Sequence, residues 1–190
     1  MNQSNEESIV VLLAGYSEVT GALDAYDAVR GVFEERNADD AAYCDAAVIN
    51  PHQTDLSSRV LRETPPARER QAEHAQAHEG LARRLARYLG EGLALTGGPA
   101  GGGGQDIPFT TTTGEASGPL EPDDLKELGA VQESSSVVLI GIFPAMMRDR
   151  IEAATNAADR RASKELRASV GQLEAQIARA EQKAIADTGR

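Results

Sequence analysis

The stretch PDDLKELGAVQESSSVVLIGIF, residues 122–143, reads as a short capped helix, a polar turn and the most apolar strand of the chain. Pro122 suits a first helical turn, where its missing N–H is not needed. Asp123 and Asp124 put negative charge at the positive end of the helix dipole. Leu125 and Leu128 are three apart and share a face. Gly129 suits the left-handed conformation that ends many helices, so the helix is expected to stop there. Val137 to Phe143 is then apolar at every position except Gly141. A half-buried strand alternates, whereas a continuous run points to burial on both faces.

The same signature recurs near the start. Ser8 to Tyr16, SIVVLLAGY, reads as the first strand. Ser17 is the expected N-cap of a helix, with Glu18 in its first turn. Val19, Leu23, Tyr26, Val29 and Phe33 recur at helical spacing to about Arg36. Tyr43 to Asn50 reads as a second strand, PHQTD at 51–55 as a turn, and Leu56 to Glu63 as a third, shorter strand. From Pro65 the composition changes. Ala67 to Leu95 reads as a helix, with an apolar stripe of Leu81, Leu85, Tyr88 and Leu89. The run GGPAGGGG at 97–104 ends it, because Gly and Pro are poor helix formers. Gln105 to Leu120 has the composition of a connector. A single long helix is expected from about Ala145 to Ala186.

Without the middle insertion this order is βαββαβ, the split βαβ or ferredoxin-like pattern of the α+β class. The expected division is a disordered tail at 1–7, the first half of the core at 8–64 and a helical, Gly-rich insertion at 65–120. The second half of the core follows at 121–144 and a long amphipathic helix at 145–190. In a ferredoxin-like fold two helices cover one sheet face and leave the other free. The insertion helix, the C-terminal helix or a second subunit is then needed to cover it.

Composition narrows the function classes. The 190 residues suit one domain with extensions or two small ones. Aromatics are 4% and Trp is absent, so the core is aliphatic. The net charge of -11 argues against nucleic-acid binding, which needs a basic footprint. Residues 1–60 carry 11 acids against 3 bases, and residues 91–144 carry 8 against 1. Residues 61–90 and 145–190 are slightly basic, so acidic surfaces are expected to meet basic helices within or between chains. The single cysteine, Cys44, precludes an intramolecular disulfide framework. The start MNQSNEES is unlike a signal peptide, and no apolar run approaches the ~18 residues that span a bilayer. A cytoplasmic protein is the expectation.

SIVVLLAGY at 8–16, DAAVI at 45–49 and DDLKELG at 123–129, with the apolar strand after it, also carry a family resemblance. The chain resembles small bacterial proteins grouped as domain of unknown function 1269, labelled membrane or general-stress proteins. The resemblance covers roughly residues 8–50 and 120–170. It implies a ferredoxin-like core, no established activity and a link to stress. The family's middle segment is long, apolar and glycine-zippered. Here GEGLALTGGPAGGGG at 90–104 is short and follows Arg83, Arg84 and Arg87, which argues against insertion into a membrane and leaves peripheral contact as a further reading.

Candidate chemistry is sparse. His74 and His78 are four apart on the expected insertion helix, and residues at that spacing share a face able to grip a metal ion. The Glu of a zinc-protease helix is absent after the first His, since Ala75 stands there. A third ligand would have to be His52 or a carboxylate, and two solvated histidines are the simpler reading. No metal or other cofactor is expected. Cys44 at a strand start reads as a structural thiol, because a nucleophile needs a base beside it. Gly101 to Gly104 lacks the Lys-Ser/Thr of a phosphate loop and reads as a linker. Asp123 and Asp124 are accounted for by the helix start.

The most extended pattern lies at the C-terminal side. Ile151, Ala154, Ala158, Ala162, Leu166, Val170, Leu173, Ile177, Ala180 and Ala184 recur every three or four residues, an apolar stripe on one helix. Some 42 residues at 1.5 Å each would make a rod of roughly 60 Å, longer than a core of this size covers. Its distal half then needs either the insertion helix or another copy. The expectation is a non-enzymatic, self-associating homo-oligomer, most simply a dimer, with Leu166, Val170, Leu173 and Ile177 in the helix contact. A small-ligand or metal-binding regulatory domain is the alternative.

Overall fold

The computed structural model of the chain describes residues 8–35, 43–53, 59–64, 80–95 and 118–188. Among the described residues there are five strands: β1 Ile9–Tyr16, β2 Asp45–Ile49, β3 Val60–Glu63, β4 Val137–Pro144 and β5 Arg160–Leu166. Five α-helices accompany them there: α1 Val19–Glu34, α2 Leu81–Leu95, α3 Pro122–Glu133, α4 Arg148–Ala154 and α5 Val170–Thr188. A 3-10 turn, Ala145–Met147, leads into α4. The class is α+β, as expected.

The two doubly apolar strands are the centre. Every residue of β1 and of β4 is buried. They pair antiparallel along their whole length, Ile9 opposite Pro144 and Tyr16 opposite Val137. The sheet order is β3-β2-β4-β1-β5, and each adjacent pair is antiparallel. It follows that β1 and β2 run parallel with β4 between them. Likewise β4 and β5 run parallel with β1 between them.

Both faces are covered by the chain itself. Ile9, Val11 and Leu13 of β1 join Ala47, Ile49, Val138, Ile140 and Ile142 under α2, α3 and α5. Val10, Leu12 and Ala14 join Val48, Leu139 and Phe143 under α1 and α4. The insertion stripe is real: Leu81, Leu85 and Leu89 are buried and Tyr88 partly so. No free sheet face is left for a second subunit to cover, so that motive for association falls.

The expected single helix from Ala145 to Ala186 is wrong. That segment holds α4, β5 and α5 in succession. Thr155 ends α4, its N–H and its Oγ1 both donating to Ile151 O. Asp159 then ties the turn to the end of β1: its N–H donates to Gly15 O at 2.9 Å, and its Oδ2 accepts from Ser17 N at 2.7 Å. β5 pairs with β1 from Ile9↔Leu166 to Gly15↔Arg160. The cause lies in β1. A fully buried strand has backbone N–H and C=O groups on both edges, and an unpaired buried group costs as much as a lost hydrogen bond. β4 serves one edge and β5 the other. Helix propensity in RRASKEL yields to that demand.

Three smaller expectations also change. α3 continues through Gly129, which is buried, to a C-cap at Ser134. α1 is capped at Glu18 and not Ser17, with no side-chain cap bond. The two helices on one face are α1 and α4, with α3 on the other. The early part of the expected insertion helix, residues 67–79, and the Gly-rich run at 97–104 lie outside the described residues.

Candidate functional site

Ser169 begins α5 with a reciprocal cap. Its Oγ accepts from Gln172 N at 3.3 Å, and Gln172 Oε1 accepts from Ser169 N at 2.8 Å. This S-x-x-Q pair satisfies donors that a helix start leaves open. Positions 168, 172, 175 and 179 then fall on one face. That face, with Arg167, Gly118 and Pro119, lines an open groove of about 670 Å³. Its two charged lining residues, Arg167 and Arg179, are both basic. Arg179 Nε donates to Ala175 O at 3.2 Å. The groove is anchored by Gln176 on the adjacent buried face. Gln176 Nε2 donates to Leu120 O at 2.8 Å and its Oε1 accepts from Leu120 N at 3.0 Å. Gly118 is required beside it, because a Cβ there would stand 2.2 Å from Gln176 Cδ.

A second polar cluster sits at the start of α2. Three of its first backbone donors are taken by side chains from the β2 and β3 side: Gly80 N by Glu63 at 2.9 Å, Leu81 N by the Tyr43 hydroxyl at 3.4 Å, Ala82 N by Asp45 at 2.8 Å. The Tyr43 hydroxyl donates in turn to Asp45 Oδ2 at 3.1 Å. Asp45 is 0% exposed. Burial pushes its carboxyl up to about 6 from 3.8, against the hydrogen bonds from Ala82 and Tyr43. The Tyr43 hydroxyl is raised too, by burial first and then by the charge of Asp45.

Ion pairs tie the basic helices to acidic partners within the chain. Arg84 and Arg87 of α2 reach Glu181 of α5 at 2.7 and 3.6 Å. Lys164 of β5 meets Asp124 at 3.2 Å and Glu127 at 2.6 Å.

The residues singled out in the sequence do not converge. His74 and His78 lie outside the described residues. His52 is exposed, its Nε2 3.1 Å from Ser135 O. Among the described residues no group of three His, Cys, Asp or Glu is placed to hold a metal ion. Cys44 is half-buried, 3.7 Å from Met147 Sδ. Asp124 Oδ2 accepts from Glu121 N at 3.2 Å, so it serves the helix start as expected. Leu166, Leu173 and Ile177 are buried in the core of their own chain and Val170 packs partly against it. Exposed large apolar side chains among the described residues are Val19, Leu61 and Met146, one from each of three separate elements.

Asp45, Gln176 and Arg179 are not marked as site residues by any of the sequence motifs considered above. A lone Asp at the head of DAAVI was one available signal, since a charge beside a doubly apolar run must be partnered inside the protein. The S-x-x-Q at 169–172 was another, marking a fresh helix start inside the supposed long helix. No helix among the described residues is long and apolar enough to cross a membrane. No protein-family model matches the chain, nor does any curated protein or solved structure.

Proposed function

We propose that this chain is a non-catalytic binding domain on a ferredoxin-like core, and that its ligand is a small anion held in the groove along α5. The groove carries this reading: its lining holds two arginines and a carboxamide, and no carboxylate among the described residues, in a chain of net charge -11. A surface this acidic repels anions in general, so a basic-lined concavity on it is a local exception. Its volume of about 670 Å³ falls within the ~300 to 1,000 Å³ usual for small-ligand sites. Arg is suited to planar recognition of carboxylate and phosphate groups.

What supports the ferredoxin-like reading is the interleaving of two split β-α-β units. One is β1-α1-β2 around β4, the other β4-α4-β5 around β1, and their helices α1 and α4 share a face. In this reading β3, α2 and α3 are the insertion and α5 an extension. The second unit thus lies further along the chain than residues 121–144, where the sequence pattern puts it.

Self-association through Leu166, Val170, Leu173 and Ile177 loses its motive, because these side chains already pack in their own core. The test is calorimetric titration with a panel of phosphate- and carboxylate-bearing metabolites, on the wild type and on Arg167→Ala/Arg179→Ala. Expected is binding that weakens with added salt and is lost in the double variant. Binding that the double variant leaves unchanged, or none across the panel, overturns the proposal.

A further inference from the structure

The start of α2 rests on a carboxylate that water does not reach. Asp45 Oδ2 accepts from Ala82 N and from the Tyr43 hydroxyl, while Oδ1 is buried with no partner among the described residues. Glu63, holding Gly80 N, points to the same spot. A Cβ at Gly80 would lie 2.6 Å from Glu63 Oε1, 3.1 Å from Asp45 Oδ2 and 3.3 Å from Asp45 Oδ1. Two carboxylates thus converge on a space that only glycine leaves open. Two like charges so placed, one with a partnerless oxygen, favour retention of a proton.

We propose that Asp45 takes up a proton in the docked structure and that this proton sets how firmly α2 is latched to the sheet. The latch is tight when Asp45 is neutral and looser when it is charged.

The surrounding groups come from every packed element. Tyr43 leads into β2, Arg62 and Glu63 lie on β3, and Arg83 of α2 stands 3.8 Å from Glu63. Glu174 of α5 acts on Tyr43, and Tyr26 of α1 feels Asp45 across the sheet. Burial and the charge of Glu63 disfavour an ionised Asp45. The Ala82 and Ala46 N–H groups and the Tyr43 hydroxyl favour it. The balance lies with the neutral form up to about pH 6.

Undocking α2 exposes Asp45 and returns it to ordinary acidity. The docked state therefore holds the extra proton between about pH 4 and 6, and opening becomes easier as pH rises through that range. Above it the effect levels off. Undocking would also uncover the apolar floor of Ala47, Ile49 and Ile140 beneath Leu81 and Leu85.

Hydrogen exchange of the full chain at pH 5 and pH 7, corrected for intrinsic rates, tests this. Docked Asp45 is mostly protonated at the lower pH and mostly ionised at the higher, whereas undocked Asp45 is ionised at both. Opening of α2 is therefore expected to be roughly tenfold more frequent at pH 7. Asp45→Asn is expected to abolish this difference. Equal α2 protection at the two pH values, or a wild-type response in Asp45→Asn, overturns the proposal. Should that variant not fold, carbon-detected NMR titration of the Asp45 carboxyl in the wild type decides. A midpoint near 6 supports the latch and one near 4 overturns it.

Discussion

Over the α1 and α4 face of the sheet, Leu12, Leu139, Phe143 and Ile151 are fully buried; the Tyr26–Thr64 hydroxyl pair at 2.9 Å is a buried polar link there, while Arg148, Glu152 and Ser163 join α4 to β5 nearer the surface. Over the α2, α3 and α5 face an equally apolar floor is crossed by three buried polar side chains. Asp45 holds α2, Gln132 Nε2 joins α3 to Ala86 O of α2 at 3.0 Å, and Gln176 joins α5 to Leu120. The first face has two helices, each separated from the strand before it by three residues or fewer. The second gathers three helices from distant parts of the chain, and burial alone does not fix their relative positions because it is non-directional. Hydrogen bonds with defined geometry do. The same bolts are where a helix can be released singly.

Breaking the first face should have the largest effect. Phe143→Ala removes a fully buried ring, and losses of about 3 to 5 kcal/mol are usual for such a truncation. Denaturant unfolding should show a lower midpoint in one cooperative transition. A separate early transition confined to α1 and α4 would contradict the view of that face as integral to the core.

On the second face, Gln176→Ala leaves the N–H and C=O of Leu120 buried without their partner. Each such group costs about 1 to 3 kcal/mol, so a loss of roughly 2 to 6 kcal/mol is expected. Exchange should rise first in α5 and near Leu120, with β1 and β4 protected until global unfolding. Uniform loss of protection would erase the distinction between the faces.

The pH dependence sharpens the comparison further. Asp45 rises from 3.8 to about 6 on folding, so the folded state binds more protons in that window. Stability from this group therefore falls as pH rises from about 4 to 6, by up to about 3 kcal/mol, and is level above. Asp45→Asn should flatten this part of the curve in denaturant titrations. Glu152 is shifted down by its hydrogen bond from Arg148 and works in the opposite sense, so the comparison is of variant with wild type. The smallest effect is expected from Arg84→Ala. Its pairing with Glu181 is partly exposed, and such pairs contribute about 1 kcal/mol or less. A thermal melt shifted by more than a few degrees would show that the pair between α2 and α5 matters more than its exposure implies.

Much of the scaffold was legible in the amino-acid sequence. The runs IVVLLAGY and VVLIGIF announced strands buried on both faces, and both are. The stripe of Leu81, Leu85 and Leu89 announced which side of α2 faces the core. The candidate sites were barely legible. Asp45 was read as one residue of a strand, because only its position under α2 makes it a cap. Arg167 and Arg179 are twelve residues apart, and their convergence on a groove depends on Gly118 and Pro119 arriving from the bend before α3.

The sequence by itself determined the two central strands, the extent of α1 to within two residues and the apolar face of α2. These follow from side-chain order over short distances, where hydrophobic periodicity acts. Only the tertiary structure decided that residues 148–188 divide into α4, β5 and α5. Ile151 through Ile177 satisfy a helical period, and nothing local to Arg160–Leu166 outweighs it. The second edge of β1, some 150 residues earlier in the chain, does: its buried backbone groups need partners, and β5 supplies them along seven residues.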